Sequence, residues 1–261
     1  MPSAIPSPLK DPALSLLAWV GDFGRFCWSV VVTFRSLPFE VREFLRQLDI
    51  VGSKSLPLVA LAGGATGVVL SLQTRDSLTR FGAASLLPAV IIFSLIKETG
   101  PIITGLVVSG RVGAGIGAEL GSMRVTEQID AMAVSGVDPS KFLAATRIVA
   151  CVVALPLLTL AADAAGIIMG WVATNLVEPT SLRLFMNNGL RGVLFSDFLP
   201  PTIKTALFGL IIGTVSSFVG MNTRGGTEGV GRSATSSVVL SSLLIILSDV
   251  LLVKLITAVY P

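Results

Sequence analysis

The sequence contains no histidine, two cysteines and one tyrosine, and charged residues make up only 13% of it. Zinc sites built on histidine or on four cysteines are therefore excluded, as is catalysis that needs a histidine base. Cys27 and Cys151 are far apart and form no C-x-x-C pair, so we expect both to be buried apolar residues and predict no metal site. The chain also lacks a G-x-x-x-x-G-K-[ST] phosphate-binding loop. If ATP drives this protein, another chain must bind the nucleotide.

Hydrophobic residues make up 52% of the 261 residues, and the mean hydropathy is +0.83. Such a composition is too apolar for a soluble domain and predicts an integral membrane protein. The net charge of +3 gives little support to a nucleic-acid partner, and we expect none. In a membrane protein the placement of Lys and Arg matters more than their sum.

Five apolar runs are long enough to span a bilayer. They are residues 55–72, 83–109, 142–177, 199–220 and 236–260. Short polar loops are expected at 73–82 and 221–235, and polar connectors at 110–147 and 178–197.

Residues 1–12 read as a flexible leader, and no A-x-A site indicates a cleaved secretory signal. Residues 13–48 mix aromatic residues with arginines, which is typical of a helix lying in the membrane interface. We expect that helix to break near Pro38, with a further membrane span as the alternative. The fold class predicted is an all-α integral membrane protein with an N-terminal interfacial amphipathic helix, five transmembrane helices and a cytoplasmic coupling helix. Residues 13–261 would form one domain whose transmembrane core is 54–261.

Basic residues are concentrated on one side of this topology. The N-terminal region, the 110–147 connector and the 221–235 loop carry most of the Lys and Arg residues, and the opposite loops carry few. The positive-inside rule therefore predicts a cytoplasmic N-terminus and a C-terminus on the other side.

Charged residues interrupt four of the apolar runs, where each is costly unless it is paired or faces water. They are Lys97, Glu98, Asp163, Lys204, Asp249 and Lys254. Two interpretations remain open: the charges pair across helices and fix the bundle, or they line a polar pathway. Asp249 and Lys254 are five residues apart and share a helix face poorly, so Lys97 or Lys204 is the expected partner of Asp249.

Small residues recur at helical spacing in two places and predict close helix packing. They are Gly63 and Gly67 in the first span, and Gly113, Gly117 and Gly121 after the second. The latter stretch superficially matches a dinucleotide fingerprint. Because a transmembrane helix rather than a strand precedes it, we predict no cofactor site there.

A short helix is predicted over 122–135, with Ser122 as its cap and Gly136 at its end. Its carboxylates, on Glu127 and Asp130, do not share the face of Ile129. An amphipathic segment of this kind either docks into a groove on another protein or serves as a solvated connector.

The run ETGPIITGLVVSGRVGAGIGAELGSMRVTEQIDAMAVSGVDP, residues 98–139, closely resembles the signature of the MlaE/YrbE permease family. These permeases are the membrane subunits of ABC transporters that move lipids with an MCE-domain partner. The resemblance extends over residues 54–260. It implies a homodimer with lipid in a cavity at the dimer interface, between the first and last spans, a cytoplasmic ATPase pair, and a periplasmic MCE ring. This chain itself would bind no cofactor, and ATP with Mg²⁺ would be held by the ATPase.

The resemblance also assigns residues. The polar residues near the lipid cavity would be Lys97, Glu98, Lys204 and Asp249. The ATPase coupling helix would carry Arg124, Glu127, Gln128 and Asp130. Family members commonly have Arg in place of Lys97, so this chain keeps the charge there but not the guanidinium geometry.

The function predicted is that of a permease subunit rather than an enzyme, moving phospholipid in a bacterial, Gram-negative inner membrane. Two other classes of protein are alternatives. An ion-coupled secondary transporter would use Asp163 and Asp249, although the sequence shows no convincing internal repeat. A lipid-modifying enzyme would need a clustered catalytic site, and the sequence shows none.

Overall fold

The structure is a computed structural model that describes residues 12–34, 40–191, 193 and 195–259. Within these ranges every regular element is helical. The helices are α1 (Pro12–Phe34), α2 (Val41–Leu48), α3 (Leu56–Arg80), α4 (Leu87–Ser94), α5 (Gly100–Val108), α6 (Ala114–Val125), α7 (Gln128–Val134), α8 (Thr146–Asn175), α9 (Leu182–Leu190), α10 (Phe195–Met221) and α11 (Gly226–Val259).

Several of these helices are joined end to end by π-helical turns, which contain one extra residue per hydrogen-bonded ring. Such turns occupy Asp49–Ser53, Leu95–Thr99, Ser109–Gly113 and Ser140–Ala145. The chain thus forms five long apolar helical stretches that could cross a membrane. They are Val41–Arg80, Ala84–Val125, Ser140–Asn175, Asp197–Met221 and Gly226–Ile256. The predicted all-α membrane fold with five spans is confirmed.

Four predicted loops or connectors were wrong in extent. Residues 73–80 continue α3, residues 110–125 continue the second span, and residues 226–235 form the first turns of α11. The connector 178–197 contains α9, which Ser181 caps by accepting a hydrogen bond from the backbone N–H of Leu184. Hydropathy marks where a helix is apolar. It does not mark where the helix ends, because a helix can continue into the polar region beyond the bilayer.

Helix α8 is the centre of the bundle. It packs against α3 on one side and α10 on another, while α11 packs against α6 and α10. At 30 residues, α8 is about 45 Å long. Because α7 precedes it and α9 follows it, those two short helices lie at opposite ends of the bundle.

Helix α1 is not one of the five candidate spans. Trp19, Phe23 and Phe26 surround Phe218 near the end of α10, with ring centroids 5.3–5.7 Å from Phe218. Trp28 on the same helix is 70% exposed. One face of α1 therefore packs on the bundle and the other presents apolar surface. The predicted break at Pro38 lies outside the described residues, but α1 ends at Phe34 and α2 begins at Val41. Because α2 runs on into α3, residues 41–48 lead directly into the first long helical stretch.

Candidate functional site

A cluster of three charged residues from three elements lies within the bundle. The ammonium of Lys204, on α10, is 3.0 Å from a carboxylate oxygen of Glu98 and 2.9 Å from one of Asp249. The Lys204 and Asp249 side chains are only 2% and 5% exposed, whereas that of Glu98 is 43% exposed. Two carboxylates thus share one buried cation, and the cluster opens on the Glu98 side. Of the two lysines predicted as partners of Asp249, the structure selects Lys204.

Lys97 pairs elsewhere. Its ammonium is 3.5 Å from Asp197 and 4.6 Å from the centroid of the Phe93 ring. Asp197 and Lys204 are seven residues apart on α10, which places them on one face of that helix. The two consecutive charges of the Leu95–Thr99 turn therefore meet two charges on the same face of α10. Asp197 was not predicted, because it falls in a segment that reads as a polar connector.

The π-helical turn explains how consecutive residues can both reach α10. Lys97 and Glu98 lie in the turn Leu95–Thr99, immediately before α5 begins at Gly100 with Pro101 in its first turn. Such turns widen the helix locally and occur frequently at functional sites. Gly100 and Pro101 follow the turn in the sequence, but the hydrophobic pattern does not show that the turn is π-helical rather than α-helical.

Asp163 and Lys254 take no part in the Lys204 cluster. Asp163, in α8, is buried and packs against the backbone of Gly100. Lys254 is exposed near the end of α11. The ion-coupled hypothesis joined Asp163 with Asp249, and these two carboxylates have different neighbours in the structure.

The first pair of glycines brings two helices into backbone contact. A Cβ atom at Gly63 would overlap the backbone of Ala162, and one at Gly67 would overlap the backbone of Gly166. Gly170 in turn lies near the carbonyl oxygen of Gly67. The packing of α3 on α8 therefore requires glycine at positions 63 and 67.

The second group of glycines faces hydroxyl side chains. Gly113 lies against Ser216 of α10, and Gly117 lies against Ser237 of α11. The hydroxyl of Ser233 donates a 2.7 Å hydrogen bond to the carbonyl oxygen of Gly117. Gly121 packs against Ser233 and Thr223. These contacts form a close, polar seam between α6 and its neighbours α10 and α11.

The segment predicted as one helix from Ser122 is divided in two. Ser122 lies within α6, which continues to Val125, so the predicted cap at Ser122 was wrong. Glu127 has φ 59° and ψ 13°, in the left-handed region, and α7 starts at Gln128. The turn at Glu127 therefore breaks the helix, and the carboxylate of Glu127 lies at the N-terminus of α7.

Helix α7 presents a mostly exposed surface at the end of the bundle. Ile129 is buried, whereas Glu127, Gln128 and Asp130 are exposed and Val134 is 91% exposed. Arg124, in the last turn of α6, forms an ion pair with Asp130 at 2.5 Å. The four predicted coupling residues are thus adjacent, with exposed apolar surface beside them.

Two arginines near this end of the bundle, one buried and one partly buried, were not predicted as site residues. Arg147, only 2% exposed, pairs with Glu119 of α6 at 2.9 Å and donates to the carbonyl oxygen of Leu143. Arg111 donates to the hydroxyl of Ser55 at 2.5 Å. In the sequence, both contribute only to the charge pattern that predicts the orientation of the chain. Their position at the edges of apolar runs was the available signal. They tie α6 to α8, and the end of the second span to the start of α3.

Comparison with known proteins gives concordant results. The family model described as Permease MlaE matches residues 44–255. A probable ABC transporter permease protein of Rickettsia felis is 36% identical over 236 residues, covering 90% of this chain and 91% of that protein. A protein of Synechocystis sp. with the same description is 34% identical over 208 residues, covering 80% of this chain and 79% of that protein. The chloroplastic protein trigalactosyldiacylglycerol 1 of Arabidopsis thaliana is 36% identical over 211 residues, covering 81% of this chain and 60% of that protein.

Proposed function

The chain belongs to the MlaE family of ABC transporter permeases and is a multi-pass membrane protein, and on this premise we propose that it moves phospholipid, powered by a separate ATPase. The observation that carries the proposal is the cluster of Glu98, Lys204 and Asp249. Charges at this depth are retained where they pair or line a polar cavity. Here they pair, and Glu98 remains half-exposed.

A phospholipid has a charged head and apolar tails, and the cluster offers a matching environment. Lys204 and Lys97 bring two cations, and Glu98 and Asp249 bring acceptors, among otherwise apolar helices. A phosphate would be drawn to the ammonium groups, and a head-group amine to the carboxylates. A lipid substrate is also supported by the Arabidopsis relative, which bears the name of a galactolipid.

A homodimer is the expected assembly. Only 17% of the apolar stretch of the last span is buried, and exposed leucine and valine side chains lie on α11. They are Leu243, Leu247, Val250 and Leu251. A second copy against this face would cover it and would leave a lipid cavity between the first and last spans. The half-exposed Glu98 would then face that cavity rather than acyl chains.

Coupling to ATP would occur at α7. Arg124, Glu127, Gln128 and Asp130 would contact the ATPase, and Val134 would add apolar area to that contact. Movement of α7 would pass to α6 across the turn at Glu127, and from α6 to α10 and α11 across the glycine and serine contacts. By the positive-inside rule this end is cytoplasmic, so an MCE-domain partner would bind at the opposite end, in a bacterial inner membrane.

The decisive experiment has two stages. The protein is first purified from its native membrane in mild detergent, and the proteins and lipids that accompany it are identified by mass spectrometry. The complex is then reconstituted in vesicles, and ATP-dependent transfer of a fluorescent phospholipid is measured. We expect an ATPase and an MCE-domain protein to co-purify. Compared at equal amounts of folded, assembled complex, we expect Lys204→Met to reduce transfer at least tenfold, as for a charge that hydrogen-bonds the substrate.

Lys254→Met is the matched control, because it removes a lysine that is exposed on α11. Transfer that persists without any ATPase would overturn the proposal and favour ion-coupled transport. Equal transfer by wild type and Lys204→Met would show that the cluster is structural.

A further inference from the structure

The carboxyl group of Asp163 has unsatisfied hydrogen-bonding capacity. Asp163 is 4% exposed in the middle of α8. Neither of its carboxylate oxygens has a hydrogen-bond partner among the residues that the structure describes. A buried polar group without a partner is strongly unfavourable. A donor that reaches this carboxyl would therefore be bound favourably.

Protein backbone closes one side of Asp163. A Cβ atom at position 100 would overlap a carboxylate oxygen of Asp163, so the carboxyl lies directly on the Cα of Gly100. Gly100 is the first residue of α5 and follows the π-helical turn Leu95–Thr99. The carboxyl therefore occupies the space that a side chain at position 100 would fill.

Asp163 also lines a cavity of about 610 Å³, although both of its carboxylate oxygens are covered by protein atoms. Its walls are apolar side chains of α8, α9 and α10, among them Leu160, Met186 and Phe198. This volume falls within the usual range for pockets that hold small organic ligands. An apolar cavity with one buried polar group is suited to an amphiphile whose polar end has a defined position.

The cavity opens to the outside of the bundle, along the apolar stretch of α8. Leu160 and Ile168, on its rim, are 37% and 52% exposed on α8. Leu182, Met186 and Leu190 of α9 cover another side. A ligand can therefore enter laterally from the acyl-chain region, with α9 lying over it.

We propose that this cavity binds an amphiphile that has a single hydroxyl group on an apolar body, and that the carboxyl of Asp163 turns toward the cavity to hydrogen-bond this hydroxyl. A hydroxyl can donate one hydrogen bond and accept another, so it satisfies the carboxyl in either protonation state. An ammonium group would bring three N–H donors and a full charge to an apolar cavity that offers one carboxyl, and its remaining donors would be left unpaired.

The site is distinct from the Lys204 cluster and does not depend on the proposed phospholipid transport. The same π-helical turn supplies both, because Glu98 pairs with Lys204 whereas Ile96 lines the cavity of Asp163. Occupancy of the cavity would therefore act on the turn that carries the charges, from the side opposite the cluster.

The test is photoaffinity labelling of the purified full-length protein in detergent. The probe is hexadecanol with a diazirine in its chain, and the matched probe is its methyl ether, which cannot donate a hydrogen bond. Labelled peptides are identified by mass spectrometry. We expect the alcohol to label α8 and α9 about fivefold more than the ether does, which is the preference that one net hydrogen bond supplies.

Asp163→Leu preserves the branched shape of the side chain and should abolish the preference for the alcohol. Asp163→Asn, which keeps hydrogen-bonding atoms, should retain part of it. Ala164→Phe, within the cavity, should reduce labelling by both probes, whereas Val153→Phe, on the exposed face of the same helix, should not. Retention of each variant's elution profile in size-exclusion chromatography shows that it is folded.

Equal labelling by alcohol and ether in the wild type would overturn the proposal, as would an alcohol preference that survives Asp163→Leu. Because labelling needs neither ATP nor a partner protein, its result is independent of the phospholipid assay. Lys254→Met, which removes an exposed lysine that does not line the cavity, should leave the labelling of α8 and α9 unchanged.

Discussion

The ammonium of Lys204 lies 2.9 Å from a carboxylate oxygen of Asp249, and both side chains are almost completely buried between α10 and α11. Glu98 completes this arrangement at 3.0 Å from the same ammonium. Lys204 thus pairs with both carboxylates, and each of three separate helical stretches contributes one charge.

Replacing Lys204 with Met should strongly destabilise the protein. The substitution leaves two neighbouring carboxylates without their shared cation, and breaking a buried ion pair in this way costs about 3–5 kcal/mol. The unfolding midpoint in detergent, followed by circular dichroism, measures the loss. The double variant Lys204→Met/Asp249→Leu should recover much of it, because no buried carboxylate is left unpaired on α11. A single variant as stable as wild type would contradict this account.

Replacing Gly67 with Ala should separate α3 from α8. The added methyl group overlaps the carbonyl oxygen of Gly166, and backbone cannot move aside as a flexible side chain can. We expect a loss of about 1–3 kcal/mol in the free energy of unfolding. Gly115→Ala is the control, since a Cβ there meets nothing within 4 Å. That control should be neutral or stabilising by up to about 1 kcal/mol. Equal effects at the two positions would refute the packing argument.

Substitutions of Glu127 distinguish the stability cost of its strained backbone from its contribution to ATPase binding. Its left-handed conformation costs a non-glycine residue about 1–2 kcal/mol. Glu127→Gly should therefore raise the unfolding midpoint relative to Glu127→Ala, although both lose the carboxylate. If the carboxylate contacts the ATPase, both variants should bind it more weakly in a pull-down, and Glu127→Lys should abolish binding. Undiminished binding by Glu127→Lys would remove this residue from the interface.

The Arg147–Glu119 pair should respond unequally to loss of its two partners. Arg147 is 2% exposed and Glu119 is 48% exposed. Glu119→Gln leaves a buried guanidinium without its counter-charge, whereas Arg147→Met removes the buried charge and keeps a long apolar side chain. Thermal unfolding should therefore show Glu119→Gln to be the less stable of the two. The reverse order would mean that Arg147 has another counter-charge.

Cys27 should react with alkylating reagents slowly at neutral pH. Cys27 is only partly buried, whereas the sequence predicts full burial. Its packing among α1, α10 and α11 raises the pKa of its thiol above the ordinary value, and a backbone hydrogen bond only partly offsets this. Because the thiolate is the nucleophile, the rate should rise about tenfold per pH unit below that pKa. Maleimide labelling from pH 7 to 9 measures it. Cys151→Ser should leave the rate unchanged, since Cys151 is fully buried, and Cys27→Ser should abolish labelling. A rate independent of pH would contradict the assignment.

Sequence reasoning located the five spans and the charges within them, because apolar length and isolated charges are local properties of a chain. It did not identify which charges meet. Asp197 is the partner of Lys97, and that choice depends on the registry of α10 against the second span. Nor did it place Ser122 inside α6, because Thr126 and Glu127, which interrupt the helix, are compatible with helix in isolation. The cavity beside Asp163 combines residues of several helices, so no linear pattern contains it.

The π-helical turn at Leu95–Thr99 also constrains which deletions the chain can tolerate. Such a turn holds one residue more than an α-helical turn, and each residue rotates a helix by about 100°. If a single residue upstream of Gly100 is removed, the π-helical turn can revert to regular α-helix. The residues that follow then keep their register and their contacts. Removing one residue between Gly113 and Gly121, where the helix is already regular, would rotate the glycine face away from Ser233 and Ser237. The two halves of one span thus differ in how readily insertions and deletions can become fixed in them.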